Sequence, residues 1–145
     1  MKQVKEVMTD EIVCVTMQDN VFEIADKMKK HDTGFVPVVE GKKLLGVVTD
    51  RDLVIRGYAE KRSGSASVDQ VMTSEAITCG PETRTTEALK LMAQNKIRRL
   101  PVVQNGELIG VVAIGDLAVH SKLEDAAGQT LSEISESNKT MSTTK

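Results

Sequence analysis

Two different spacings of apolar positions follow one another along this chain, and the sequence of spacings occurs twice. A β-branched run, Ile12-Val13-Cys14-Val15-Thr16, predicts a strand. Val21, Ile24, Ala25 and Met28 then stand at i, i+3, i+4 and i+7, one face of a helix, with Asp19 or Asn20 placed to cap it. Val36-Pro37-Val38-Val39 and Leu44-Leu45-Gly46-Val47-Val48 flank the turn residues Glu40-Gly41-Lys42-Lys43 and predict a hairpin, after which a second helix begins at Thr49 to Asp52. The same series returns downstream. Ala76-Ile77-Thr78-Cys79 reads as a strand, and a helix starting near Thr83 carries Ala88, Leu89 and Met92. A hairpin turns at Gln104-Asn105-Gly106-Glu107, where Asn-Gly between apolar runs is a strong hairpin signal. A last helix of the series starts at Ala113 to Asp116.

The recurrence has a constant offset. Pro37-Val38-Val39 returns as Pro101-Val102-Val103, 64 residues later, and the same offset takes Val7-Met8-Thr9 to Val71-Met72-Thr73 and Met28 to Met92. It also takes Gly46-Val47-Val48 to Gly110-Val111-Val112, and Asp52-Leu53 to Asp116-Leu117. Each copy is a β-α-β-β-α unit with a three-stranded sheet and two helices, an α/β fold in the α+β sense. Its own helices cannot cover both faces of so small a sheet, so the copies are expected to pack together about a pseudo-twofold axis. This divides the chain into a first repeat over 1–60, a linker over 61–67 and a second repeat over 68–122. Leu123, Ala127, Leu131 and Ile134 suggest a C-terminal helix over 123–136, and the Ser, Thr, Asn and Lys of 137–145 a disordered tail whose removal leaves folding unchanged.

Composition narrows the chemistry. Aromatic residues are 2% of the chain and Trp is absent, so the core must be aliphatic and stacking platforms for single-stranded nucleic acid are missing. A net charge of −2 gives no basic footprint for a phosphate backbone, which argues against nucleic acid as a partner. No apolar run has the length of a membrane span and the N-terminal residues lack a signal-peptide core, so a cytoplasmic location with no membrane partner is expected. Cys14 and Cys79 lie in strand-like stretches without metal-ligand spacing, and His31 and His120 stand apart from any nucleophile. No metal site, no catalytic residue and no required cofactor are expected. An enzyme reading would have Asp50, Asp52 and Asp116 as its candidates, and paired carboxylates at a helix start lack a nucleophile, a metal-ligand set or a positioned His.

The motif that ends each hairpin carries the functional signal. Four features occur in order and twice: the Val-Met-Thr leader, the capped helix, the Pro-Val-Val strand, and Gly-Val-Val with Asp six residues after the Gly. On these the chain resembles the CBS domain family over about Val4 to Val119, as a tandem pair of the kind called a Bateman module. The resemblance implies a G-h-h-[ST]-x-x-D stretch in which the hydroxyl meets phosphate and the Asp holds ribose hydroxyls. Gly46-Val47-Val48-Thr49-Asp50-Arg51-Asp52 fits it completely, which makes Thr49, Arg51 and Asp52 candidate ligand-binding residues. Thr49-x-x-Asp52 is also a near capping box, whose members satisfy the helix's own backbone donors. The second copy reads Gly110-Val111-Val112-Ala113-Ile114-Gly115-Asp116: it keeps Asp116 and has Ala113 in place of the hydroxyl. It adds Arg98 and Arg99 just before Pro101, where similar modules turn basic residues toward phosphate, while the first copy has Thr33-Gly34-Phe35-Val36-Pro37 there. By the same resemblance the strand starts, Ile12 and Val13 or Ala76 and Ile77, would line an apolar slot for a purine, with Pro37 and Pro101 as further candidate ligand-binding residues; plain core strand fits the strand starts equally.

The resemblance therefore implies a regulatory module in which an adenosyl ligand (AMP, ADP, ATP or S-adenosylmethionine) occupies the cleft between the repeats, acting on an unknown effector protein. Thr49 favours the first copy as the stronger site, unless Arg98 and Arg99 offset the missing hydroxyl of the second. The alternative is a non-catalytic dimerisation or scaffold protein with vestigial clefts. Both readings expect a homodimer, since Leu53-Val54-Ile55 and Leu117-Ala118-Val119 leave apolar helix surface over.

Overall fold

The computed structural model describes residues 2–119 and residue 134. The regular elements are α1 (Val21–His31), β1 (Phe35–Glu40), β2 (Lys43–Thr49), α2 (Asp50–Asp52, continued by a wider π-helical turn over Leu53–Tyr58), α3 (Thr85–Asn95), β3 (Arg99–Gln104), β4 (Glu107–Ala113) and α4 (Ile114–Val119). Short 3₁₀ turns at Val4–Glu6 and Val68–Gln70 form the two leaders. The chain folds as two compact units. The first-repeat unit holds Glu11–Ala76 with the hairpin tip Asn105–Leu108, and the second-repeat unit holds the described parts of Met1–Asp10, Ile77–Gln104 and Ile109–Lys145.

The leaders are exchanged. Val4 and Val7 lie in the aliphatic core of the second-repeat unit with Cys79, Ala88, Leu89, Met92, Leu100, Val102 and Leu117. Val68 and Val71 lie in that of the first-repeat unit with Val15, Ile24, Met28, Val36, Val38 and Val48. Backbone pairing repeats at the same offset: Thr9 bridges Val111 and Thr73 bridges Val47, while Gln3 bridges Arg84 and Ser67 bridges Asn20. Each leader thus supplies two fully buried or nearly buried valines to a sheet whose own helices leave one side open.

The hairpins follow the predicted pattern. β1 and β2 pair antiparallel from Phe35 opposite Thr49 through Pro37 opposite Val47 to Glu40 opposite Lys43, with a bulge between Val38 and Val39. β3 and β4 are likewise hydrogen-bonded neighbours. Asn105 and Gly106 both have positive φ, 54° and 79°, which is the backbone that an Asn-Gly turn adopts. In the first-repeat unit the 105–108 tip extends the sheet: Lys43 opposes Glu107, Leu44 donates to the Gly106 carbonyl at 3.2 Å, and Leu108 donates to that of Lys42 at 2.7 Å.

The expected first strand of each copy is corrected to a single parallel bridge, Val15 to Val38 and Cys79 to Val102. Proline is the reason. Val15 N–H donates to the Pro37 carbonyl at 3.0 Å and Val39 N–H to the Val15 carbonyl at 2.9 Å; the next rung upstream needs an N–H on Pro37, which has none. The identical pair, Cys79 to Pro101 at 3.0 Å and Val103 to Cys79 at 2.8 Å, stops at Pro101. Ile12–Val13 and Ile77 therefore run alongside the sheet without joining its ladder.

Asn20 caps α1 in a reciprocal box with Glu23, accepting from Glu23 N at 2.8 Å while Glu23 accepts from Asn20 N at 3.2 Å. Ile24 and Met28 are buried as expected, whereas Ala25 faces out. α3 begins at Thr85 rather than Thr83, because the Thr83 hydroxyl is used in the preceding turn, accepting from Gly80 N at 2.9 Å. Of the expected C-terminal helix only Ile134 is described: it is helical and buried in the second-repeat core. The remainder of 123–136 and the whole of 137–145 lie outside the described residues.

Candidate functional site

In each unit the strand register brings three separated segments to one end of the sheet. Phe35 opposes Thr49 where β2 runs into α2, and the parallel bridge at Val15 sets Ile12–Val13 alongside the first half of β1. The corresponding second-repeat segments are Ile77, Arg98–Pro101 and Ala113–Asp116. The structure thus assembles Ile12, Val13, Pro37, Thr49, Arg51 and Asp52 in the first-repeat unit, and Ile77, Arg98, Arg99, Pro101 and Asp116 in the second-repeat unit.

Thr49 and Asp52 form a reciprocal capping box at the start of α2. Asp52 accepts from Thr49 N at 2.9 Å and the Thr49 hydroxyl oxygen accepts from Asp52 N at 3.2 Å. The capping role is therefore realised, and it leaves the Thr49 O–H proton to donate elsewhere. The other Asp52 oxygen lies 4.0 Å from Arg56 Nε, and Arg56 Nη1 donates to the Met72 carbonyl at 2.7 Å, tying the helix to the exchanged leader. Arg56 carries no signal in the sequence pattern because its partner is on that leader, 16 residues away in the chain. Asp116 is exposed and takes part in no such cap, since Ala113 has no hydroxyl to complete one.

Pro37 and Pro101 are buried, and their carbonyls are spent on Val15 and Cys79. Their part is to end the ladder and so leave the Ile12–Val13 and Ile77 backbone out of the sheet. Val13 packs partly against the first-repeat core, while Ile77 is among the exposed large apolar side chains. Arg51, Arg98 and Arg99 are all exposed, so the alternation of a strand does not hide either member of the Arg98-Arg99 pair. Gly46 and Gly110, which open the Gly-Val-Val stretches, are fixed by packing. A Cβ on Gly46 would lie 2.5 Å from the Thr73 carbonyl oxygen, and one on Gly110 would lie 2.5 Å from Met8 Sδ and 3.0 Å from the Thr9 carbonyl oxygen. Each glycine lets the exchanged leader cross β2 or β4 at backbone distance.

Burial pushes the Cys79 thiol up to about 11, and it raises that of Cys14 too, with nearby Lys27 opposing the shift. Among the described residues no three His, Cys, Asp or Glu side chains cluster as a metal site, and no helix is long and apolar enough to cross a membrane.

The family model for the CBS domain matches this chain twice, over residues 4–57 and 68–122. The chain belongs to the CBS domain family. The two matched CBS domains begin at the leaders, so each domain in sequence contributes its leader to the other's core. A relative of similar length is the CBS domain-containing protein YhcV of Bacillus subtilis, 41% identical over 138 residues that cover 95% of this chain and 99% of YhcV. Inosine-5′-monophosphate dehydrogenase of Korarchaeum cryptofilum is 40% identical over 117 residues, 80% of this chain and 24% of that enzyme. Among solved structures, the CBS domain pair of protein MJ0100, in complex with 5′-methylthioadenosine and S-adenosyl-L-methionine, superposes with a TM-score of 0.74 at 21% identity and covers 82% of this chain and 98% of its own. The MJ0100 pair shares the helix-and-antiparallel-sheet architecture described above.

Proposed function

We propose that this CBS pair is a non-catalytic regulatory module that binds an adenosyl ligand, AMP, ADP, ATP or S-adenosylmethionine, and passes the occupancy on to an effector protein. One observation carries the reading: in each unit the register gathers a ladder-free apolar segment, a β-strand start and a β-to-α junction bearing a carboxylate at one end of the sheet. The apolar segment suits a purine face. Asp52, whose second oxygen is not used by the cap, and Asp116 are the carboxylates that would accept from a ribose diol. Thr49 and the exposed Arg98 and Arg99 are donors for the remainder of the ligand. The adenosyl compounds held by the MJ0100 pair support this choice of ligand class. Occupancy alters the module only so far as the ligand favours one arrangement over another.

Ligand that binds the native state alone raises stability by RT ln(1 + [L]/Kd), about 2.7 kcal/mol at a hundredfold excess over Kd. A thermal melt with AMP, ADP, ATP and S-adenosylmethionine in turn should rise by several degrees for at least one. Flat melting temperatures at millimolar concentration of all four would sink the proposal.

A second reading, a dimerisation scaffold, is favoured by exposed apolar side chains on the first-repeat helices. Phe22 on α1 and Val54, Ile55 and Tyr58 on the continuation of α2 are exposed to 64, 57, 49 and 85%. Such apolar helix surface suits a second copy of the chain, closed by a twofold axis. The two readings are compatible, since a homodimer can also be a sensor.

A further inference from the structure

The two copies of the site differ by a coupled exchange that reverses their charge. In the first-repeat unit Asp50 N–H donates to the Gly34 carbonyl at 2.9 Å; in the second the equivalent bond runs from Ile114 to Arg98, also at 2.9 Å. The backbone is the same and the side chains are inverted. The Asp50 carboxylate lies over Gly34, where a Cβ would meet Oδ2 at 2.6 Å and Cγ at 2.9 Å, so no larger residue fits at 34 while Asp50 holds this position. At the matching place Arg98 carries a full side chain, and Ile114, 6% exposed, has withdrawn into the core. Around the same sheet end the first unit sets Asp50 and Asp52 against Arg51, and the second sets Arg98 and Arg99 against Asp116. Among the described residues neither Arg98 nor Arg99 forms an ion pair.

From this the geometry points to a division of ligands by charge: the second-repeat site takes the phosphate-bearing adenosyl ligand, and the first-repeat site takes an adenosyl ligand without phosphate, an uncharged thioether or a cationic sulfonium. The inference rests on the adenosyl-binding reading above. A phosphate brought to the first site meets the Asp50 carboxylate at the position that offers it a guanidinium in the second. Arg98 and Arg99 present planar donor forks suited to phosphate oxygens. A thioether or sulfonium asks for no anion-binding group and is not repelled by Asp50. Thr49 does not reverse this ranking, because a single neutral hydroxyl offers less to phosphate than charge-assisted bonds.

The test uses the full chain with ATP and 5′-methylthioadenosine as probes, titrated singly and together. The two are expected to bind without competing. Arg98→Gln with Arg99→Gln should weaken ATP by at least about ten- to a hundredfold, which is the cost of losing even one charge-assisted hydrogen bond, and leave the thioether unchanged. Raising the salt concentration should weaken ATP alone. Asp50→Asn, close in shape and lacking the charge, should admit ATP to the first site and raise its stoichiometry. All three side chains are exposed, and a melt of each variant confirms that it is folded. Competition of the two probes for one site, or equal loss of both in the double arginine variant, would overturn the division by charge while leaving adenosyl binding intact. Failure of both probes to bind the unaltered protein would instead remove the adenosyl reading, and this inference with it.

Discussion

Gly46 stands in the sequence as the first position of the Gly-Val-Val-Thr-x-x-Asp pattern, and the structure gives a packing reason for it: the carbonyl of Thr73 crosses it too closely for any Cβ. That contact joins residues distant in sequence and leaves no local trace. Gly46→Ala should cost roughly 1–3 kcal/mol in urea unfolding, because backbone must move. Gly110→Ala should cost less, since the nearest atom is the flexible end of Met8. Gly115→Ala, on α4 with open space around it, should be neutral or gain up to about 1 kcal/mol. Equal losses at 46 and 115 would contradict the crossing. Of the two cysteines, Cys79 is a small core residue whereas Cys14 is only half-buried and lies outside both cores, and burial gives Cys79 a testable pH response. Its folded pKa lies above the ordinary thiol value of 9.0, so the stability it contributes is present below about pH 9 and fades as pH rises toward 11. Alkylation of Cys79 should be slow at pH 8 in the native protein and fast in urea. Rapid native labelling at that pH would show the thiol to be accessible.

At the scale of elements, helices and hairpins were legible because their signals are local: 3.6-residue spacing, the Asn20 cap, the Asn-Gly turn. The first strands were not. Ile12 to Thr16 has strand composition, yet its pairing depends on the donor that Pro37 lacks, and that residue belongs to a different segment. The segments of the candidate site carry motifs in the sequence, whereas the coupling of Gly34 with Asp50, and of Arg98 with Ile114, emerges only when both ends of one backbone bond are seen. Leader exchange is the element-level finding with the sharpest consequence. Val4 is fully buried in the second-repeat core, so Val4→Ala should destabilise by roughly 1–3 kcal/mol. In hydrogen exchange the loss of protection should fall on α3 and β3 rather than on α1 and β1. Protection lost first in α1 would contradict the exchange.

For the whole molecule, the offset of 64 residues makes a tandem pair legible in the sequence alone, and the repeated bonds at that offset agree with it. The repeat by itself does not say which leader serves which core. The exposed apolar side chains Phe22, Val54, Ile55 and Tyr58 lead to an expected homodimer: light scattering at tens of micromolar should give twice the chain mass, and Ile55→Glu with Tyr58→Glu should return it to that of one chain. A single-chain mass for the unaltered protein would count against the dimer. Regulation by an adenosyl ligand is the central claim, and calorimetric titration of the unaltered chain, Asp52→Ala and Asp116→Ala with S-adenosylmethionine and ATP tests it most directly. The account predicts saturable binding below millimolar Kd, with S-adenosylmethionine lost in Asp52→Ala and ATP weakened in Asp116→Ala. Heats no larger than dilution for both ligands in the unaltered protein would contradict it.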